Sequence, residues 1–131
     1  EQFQTLAEPF LILGEIEINL RHIIERGEFK PETYAKAADP NDSSRTVEKA
    51  ADLSFGEYRR LLENKTNWNK LGLHIDRNVF IDELDSIRRI RNDVMHFDPD
   101  GIEEDQTALL RRFASFTRSL SQLDSNDAVK K

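Results

Sequence analysis

The sequence contains no cysteine, which excludes disulfide bonds, thiol catalysis and zinc–thiolate sites. Glycine and proline are scarce as well, with five and four residues among 131, and such a composition suits long helices. No apolar run approaches the roughly 20 residues that a membrane span needs, and no signal-peptide pattern is present. We therefore expect a cytoplasmic helical protein with no membrane association.

What is present is a strongly charged chain in which acidic residues outnumber basic ones. Asp and Glu total 25 against 19 Lys and Arg, which gives a formal net charge of −6 at pH 7. An acidic balance argues against broad electrostatic capture of nucleic acid, although it leaves room for a small local basic site. The chain begins at Glu1 instead of methionine, so we expect a fragment or a processed product.

The length suits one domain with its own hydrophobic core, and we predict a single domain over 1–131 with frayed ends at 1–4 and 125–131. Apolar residues recur every three or four positions along most of the chain, which is typical of amphipathic helices. The fold class that follows is all-α, with a four-helix up-down bundle core and one or two short extra helices after the first helix. The predicted helices cover about 5–26, 31–38, 45–52, 54–71 and 76–97, and a last helix runs from the cap at Asp100 with Glu103 to about 124.

Capping and stop signals support these boundaries. Ser54 and Glu57 form a capping-box pair that opens one helix. The remaining signals are Gly27 and Gly72 as helix stops, Asp98 before Pro99 as the end of the fifth helix, and Asp100 with Glu103 as the start of the last.

The most specific segment is Arg91-Asn92-Asp93-Val94-Met95-His96, at the end of the fifth predicted helix. An arginine can hold a phosphate through two parallel hydrogen bonds, and a histidine can give or take a proton near neutral pH. On a helical wheel Arg91 falls inside the apolar arc, whereas Arg88, Asn92 and His96 form a stripe along one side. An ideal helix separates Arg91 from His96 by about 140°, so one shared site requires a loosened helix end or a second subunit.

An arginine in an apolar arc needs an acceptor, because an unpaired buried charge is costly. Glu15, Glu17 or a bound phosphate could serve, and we expect Glu15 to pair with Arg91 or Arg21. In a purely structural interpretation, His96 stabilises the helix C-terminus and Arg91 pairs with a carboxylate. With three histidines and no doubled histidine motif, we expect no metal site and no cofactor.

The segment from Ile87 to Phe97 resembles the signature of the HEPN superfamily, a group of helical bundles. That signature is an arginine, usually followed by a polar residue, with four to six residues before a histidine; here the residues are Arg91, Asn92 and His96. Segments 8–17, 55–58 and 92–101 also resemble a bacterial HEPN subgroup that follows paired CBS domains. A ligand-sensing regulatory domain is therefore expected upstream.

The resemblance implies a metal-independent ribonuclease, typically a homodimer in which two motifs meet across the interface, with a role in defence or stress response. Arg91 and His96 would be catalytic, Asn92 supporting, and we add Arg88 and Glu15 as supporting or substrate-binding residues. Other members of the superfamily bind RNA without cutting it or act as interaction modules. The alternative is therefore a non-catalytic dimerisation or regulatory module attached to a CBS-like domain.

Overall fold

In the computed structural model, regular secondary structure is helical throughout the described part of the chain, with no strand in it. The structure describes the backbone of residues 2–42, 44–96 and 102–130, and the side chains of 7–42, 44–96 and 102–122. The all-α prediction is confirmed. The elements are α1 (Gln2–Glu25), α2 (Pro31–Ala37), a 3₁₀ turn (Ala50–Asp52), α3 (Phe55–Glu63), α4 (Lys65–Lys70), α5 (Arg77–Met95) and α6 (Glu104–Lys130).

The predicted helix over 54–71 is interrupted at Asn64, so the prediction of one continuous helix is wrong. The Asn64 side chain accepts a hydrogen bond from the Asn67 backbone N–H at 3.0 Å, and Asn64 has an extended ψ of 121°. The Asn67 amide in turn donates to the Leu61 carbonyl at 3.0 Å. Two asparagine side chains therefore take over backbone partners that an unbroken helix would have used.

The predicted helix over 45–52 is also wrong, since only the 3₁₀ turn at its end forms. The Asp52 carboxylate accepts the backbone N–H groups of Glu48 and Lys49, at 3.1 and 3.3 Å. The Arg45 guanidinium donates a hydrogen bond to the buried carboxylate of Glu57 in α3. Side-chain partners again replace helical hydrogen bonds in this segment.

The first helix ends at Glu25, close to the stop predicted at Gly27, but the residue with a left-handed backbone is not the glycine. That conformation belongs to Glu28, with φ of 48°, whereas Gly72 does have the positive φ expected of a helix stop. Gly27 is small for another reason: a Cβ at this position would lie 2.5 Å from ring carbons of the buried Phe29. The predicted signals at Asp98, Pro99 and Asp100 lie outside the described residues.

The contacts divide the chain into two compact units, and α1 and α5 each contribute residues to both of them. The first unit comprises 1–19 and 85–131. Two charged pairs join α1 to α6 there, Glu8 with Arg111 and Glu15 with Arg118, and both have a sequence separation of 103 residues. A constant separation means that α1 and α6 run in the same direction, so the strict up-down order is not confirmed. Apolar residues buried in this unit include Leu13, Ile16, Ile87, Ile90, Val94, Leu110 and Phe113.

The second unit comprises Leu20–Leu84, and a buried carboxylate organises part of it. Glu57, only 5% exposed, accepts hydrogen bonds from the backbone N–H of Ser54 at 2.8 Å and of Asp39, and from the Arg45 guanidinium at 2.6 Å. The capping box predicted for Ser54 and Glu57 thus forms and also holds the loop after α2. The apolar residues buried in this unit include Leu20, Ile23, Tyr34, Tyr58, Leu61, Leu62, Trp68 and Phe80.

None of the helices in the described ranges is long and apolar enough to cross a lipid bilayer. Even α1, with 24 residues, carries charged side chains such as Glu8, Glu15 and Arg21 along its length. Charges at these positions make insertion into hydrocarbon costly.

Replacing Gly14 or Gly27 with alanine is expected to change the free energy of unfolding in opposite directions. Gly14→Ala is expected to raise the free energy of unfolding by about 0.5–1 kcal/mol, because glycine within a helix is unfavourable and no described atom lies within 4 Å of the added Cβ. Gly27→Ala is expected to lower it by about 1–3 kcal/mol, because the Phe29 ring must move. Urea denaturation of dilute protein measures both values. A destabilised Gly14→Ala protein would contradict the open space at that position.

Candidate functional site

The C-terminal half of α5 separates buried apolar residues from exposed polar ones, as the helical wheel predicts. Ile87, Ile90 and Val94 are each less than 5% exposed, because they pack into the first unit. The polar residues exposed on the same stretch are Arg88, Arg89, Asn92, Asp93 and His96. The predicted stripe of Arg88, Asn92 and His96 is therefore exposed along its whole length.

Arg91 lies between these two environments and pairs with a carboxylate of α1. Its Nε lies 3.4 Å from Oε1 of Glu17, and the two side chains are 30% and 28% exposed. At this exposure the attraction is moderated by water, and a partly exposed ion pair contributes little to stability. The carboxylate instead fixes the orientation of the guanidinium beside α1.

Glu15 does not fulfil the expectation that it pairs with Arg91 or Arg21. Its Oε2 accepts a hydrogen bond from Arg118 Nε at 2.6 Å, and this bond holds the pKa of Glu15 below its ordinary value of 4.5. Arg21 donates to the Tyr58 hydroxyl at 3.0 Å. Carboxylates two positions apart on a helix point in different directions, so Glu15 reaches α6 while Glu17 reaches α5.

His96 occupies the turn that follows the last residue of α5, and its side chain is exposed. Its backbone N–H still donates to the Asn92 carbonyl at 3.0 Å, so the helical hydrogen-bond pattern extends to the histidine. Met95 beside it is 40% exposed. The imidazole is therefore open to a ligand approaching the end of α5.

Within the described residues, no group of three or more His, Asp or Glu side chains is arranged to hold a metal ion. The chemistry available at this end of α5 is that of arginine, asparagine and histidine. Arg88 can attract an anion, Asn92 can orient a phosphate or sugar hydroxyl, and His96 can transfer a proton. This set suits a phosphodiester in a reaction whose nucleophile belongs to the substrate.

Sequence reasoning missed the pairs between α1 and α6, although a signal for them existed. Glu8 and Glu15 are seven residues apart, and so are Arg111 and Arg118, which is the spacing of one helical stripe facing another. Arg111 Nε and Nη2 each lie 2.8 Å from a Glu8 oxygen. These hydrogen bonds lower the pKa of Glu8 and raise that of Arg111. The matching spacing of the two arginines, 103 residues further along the chain, therefore indicated that Glu15 pairs with Arg118 of α6.

Comparison of the chain with models of known families, with curated proteins and with solved structures gives no match. The resemblance to the HEPN superfamily consequently rests on the motif at Arg91, Asn92 and His96 and on the three flanking segments. The geometry at the end of α5 has to carry any functional assignment.

Proposed function

We propose that the end of α5 is an RNA site of the HEPN type, and that the chain is a metal-independent endoribonuclease or an RNA-binding domain acting as a homodimer. The observation that carries the proposal is that the residues of the motif lie in two different environments. Arg91 is half-buried and oriented by Glu17, while Arg88, Asn92 and His96 are exposed one helical turn apart. An oriented guanidinium and an accessible imidazole, brought together by a second copy of the motif, are suited to charge stabilisation and proton transfer.

The proposed reaction uses the 2′-hydroxyl of RNA as its nucleophile. His96 removes the proton from that hydroxyl, the 2′-oxygen forms a bond to phosphorus, and the bond from phosphorus to the 5′-oxygen breaks. The leaving 5′-oxygen takes a proton from a protonated histidine, so the products are a 2′,3′-cyclic phosphate and a 5′-hydroxyl. Arg91 stabilises the negative charge that accumulates on the phosphate oxygens.

A second copy of the chain explains how one site obtains both an acid and a base. Each chain offers one histidine at the motif, and the helix directs Arg91 and His96 roughly 140° apart. Two motifs that meet would supply two imidazoles and two guanidinium groups to one phosphodiester. A homodimer is therefore part of the proposal.

Glu17 is proposed to compete with the substrate phosphate for Arg91. Glu17→Gln is expected to tighten RNA binding several-fold, because the negative charge of Glu17 no longer competes with phosphate for the guanidinium, while stability falls by less than about 1 kcal/mol. Glu8→Gln is the matched control, since it removes an acid–arginine pair between α1 and α6 in the same unit. Fluorescence anisotropy with a labelled RNA measures both affinities. Equal affinities of Glu17→Gln and wild type would contradict a phosphate role for Arg91.

The second candidate function is a non-catalytic dimerisation module attached to a ligand-sensing domain. Leu11 and Ile18 on α1 are 76% and 50% exposed, and no described atom lies near a Cβ added at Gly14 between them. Gly14 lies three residues after Leu11 and four before Ile18, so an antiparallel second copy that crosses α1 near this glycine would place Leu11 against Ile18 of that copy. Large exposed aliphatic side chains in one stripe are typical of interaction surfaces.

A cleavage assay separates the two functions. Wild-type protein at high concentration is incubated in EDTA with an end-labelled RNA and with the same RNA carrying a single 2′-deoxy nucleotide at the cleaved position. The ribonuclease proposal predicts cleavage of the first and none of the second. Absence of cleavage together with a stable dimer on sizing would favour the dimerisation module, and a strict monomer would contradict the shared site.

A further inference from the structure

A polar cavity in the second unit lies outside the α5 motif and has a different chemistry. It has a volume of about 370 Å³ and is bordered by α2, the end of α3 and the start of α4. Cavities that hold small molecules range from about 300 to 1,000 Å³. The cavity is large enough for the polar end of a metabolite.

The cavity is lined by two cations and no carboxylate, although the chain as a whole is acidic. Lys36 is exposed and lies in this lining. Arg60 Nη1 donates to the Ala38 carbonyl at 3.0 Å, which fixes the guanidinium at the end of α2. Two positive groups in a lining that contains no carboxylate create a local attraction for an anion.

Uncharged hydrogen-bonding groups complete the lining. Thr33 and Thr66 contribute hydroxyls. The Asn64 side-chain oxygen already accepts from the Asn67 backbone N–H at 3.0 Å, so its amide nitrogen is the group left to donate. The lining also includes buried Leu61. Hydroxyl, amide and cationic donors around one space match the several acceptor oxygens of a phosphate.

A second cavity of about 390 Å³ shares Lys36 and Arg60 with the first and is also lined by acidic residues and by Arg45, whose Nη1 lies 3.7 Å from Oδ2 of Asp42. Asp39 and Asp42 line it, and each already accepts one local hydrogen bond, from the Asn41 backbone N–H and the Ser44 hydroxyl respectively. Carboxylates repel a phosphate and accept hydrogen bonds from sugar hydroxyls. The first cavity therefore has a cationic lining, and the second adds two carboxylates to a lining of mixed charge.

We propose that this pair of cavities binds a small phosphorylated sugar, such as a nucleoside monophosphate. Lys36 and Arg60 hold the terminal phosphate dianion, and Asp39 and Asp42 face the hydroxyls of the sugar. The proposal does not depend on ribonuclease activity, because none of these residues belongs to the α5 motif. A terminal phosphate fits better than an internal phosphodiester, since it carries up to two charges and can enter a concave site.

The test is a titration of the intact chain with AMP, ribose 5-phosphate, inorganic phosphate and adenosine, followed by backbone and side-chain amide NMR. Saturable shifts at Thr33, Lys36 and Asn64 are expected with AMP and with ribose 5-phosphate, weaker binding with phosphate, and none with adenosine. Lys36→Gln and Arg60→Gln should each weaken AMP binding about tenfold, as the loss of one charge-assisted hydrogen bond implies. Arg112→Gln, an exposed arginine on α6, is the matched control and should bind as wild type does.

Three results would overturn the proposal. AMP and ribose 5-phosphate could bind no better than adenosine, the two glutamine variants could bind like wild type, or RNA could bind through these residues while AMP does not. An unchanged melting temperature shows that Lys36→Gln and Arg60→Gln are folded, and Lys36→Arg should restore most of the affinity. His96→Ala should leave AMP binding unchanged, so failure here is distinguishable from failure of the ribonuclease proposal.

Discussion

Replacing His96 with alanine is expected to lower RNA cleavage at least a hundredfold while leaving the fold intact. General acid–base catalysis by a positioned side chain contributes about 10²–10⁴-fold to a rate, and both proposed proton transfers depend on this imidazole. The substitution removes an exposed side chain and keeps the backbone hydrogen bond from residue 96 to the Asn92 carbonyl. Initial rates on a fluorogenic RNA in EDTA, with a melting curve for each protein, measure the effect.

His74→Ala is the matched control for this experiment. His74 is also exposed, but it lies in the connection between α4 and α5. Its substitution therefore removes an imidazole that does not belong to the motif. It should cleave RNA at the wild-type rate. Cleavage by His96→Ala within twofold of wild type would refute the catalytic assignment.

The second large effect is expected for Glu57→Gln, which should lower the free energy of unfolding by about 2–3 kcal/mol. Glu57 is buried and accepts bonds from two backbone N–H groups and from Arg45, and hydrogen bonds to a charged group contribute about 1.5–3 kcal/mol. Glutamine keeps the shape but has one acceptor oxygen, so some of these donors lose their partner. Urea denaturation measures the change.

Glu63→Gln is the control for this effect, because Glu63 is exposed on the same helix and pairs with Arg59 at 2.7 Å. An exposed pair contributes less than about 1 kcal/mol, so the variant should be nearly as stable as wild type. A Glu57→Gln protein as stable as Glu63→Gln would contradict the role of the buried carboxylate.

The Glu57 effect should also depend on pH. Burial raises the pKa of Glu57, but hydrogen bonds from the Ser54 and Asp39 backbones and from Arg45 outweigh it and hold the pKa below its ordinary value of 4.5. A lowered folded-state pKa contributes stability that is present above pH 4.5 and is lost as the pH falls through the folded value. The difference in stability between wild type and Glu57→Gln should therefore shrink below pH 4.5. A difference that grows on acidification would contradict this coupling.

Local signals in the sequence predicted much of the helical organisation. Pro31 does begin α2, Gly72 does have a positive φ after α4, and Glu57 does accept from the Ser54 backbone. Each of these depends on residues within a few positions of one another. The break at Asn64 was equally local, and the short polar run from Asn64 to Asn67 was a signal for it.

The candidate site was predictable to the extent that it depends on one helix. The wheel placed Arg91 inside the apolar arc, and the structure has it 30% exposed against Glu17. The stripe that the wheel drew through Arg88, Asn92 and His96 is exposed. The choice between Glu15 and Glu17 could not be made in the same way, because it depends on how α1 is flanked by other helices. The additional partners of Glu57 escaped prediction for the same reason, since the Asp39 loop is 18 residues away in sequence.

The chemical nature of the RNA ends produced by the wild-type protein in EDTA tests the central claim most directly. If His96 and Arg91 promote attack by the 2′-hydroxyl, mass spectrometry of the fragments should show a 2′,3′-cyclic phosphate on one side of the cut and a 5′-hydroxyl on the other. Fragments with a 3′-hydroxyl and a 5′-phosphate, or intact RNA after prolonged incubation, would contradict the account of α5 as a ribonuclease site.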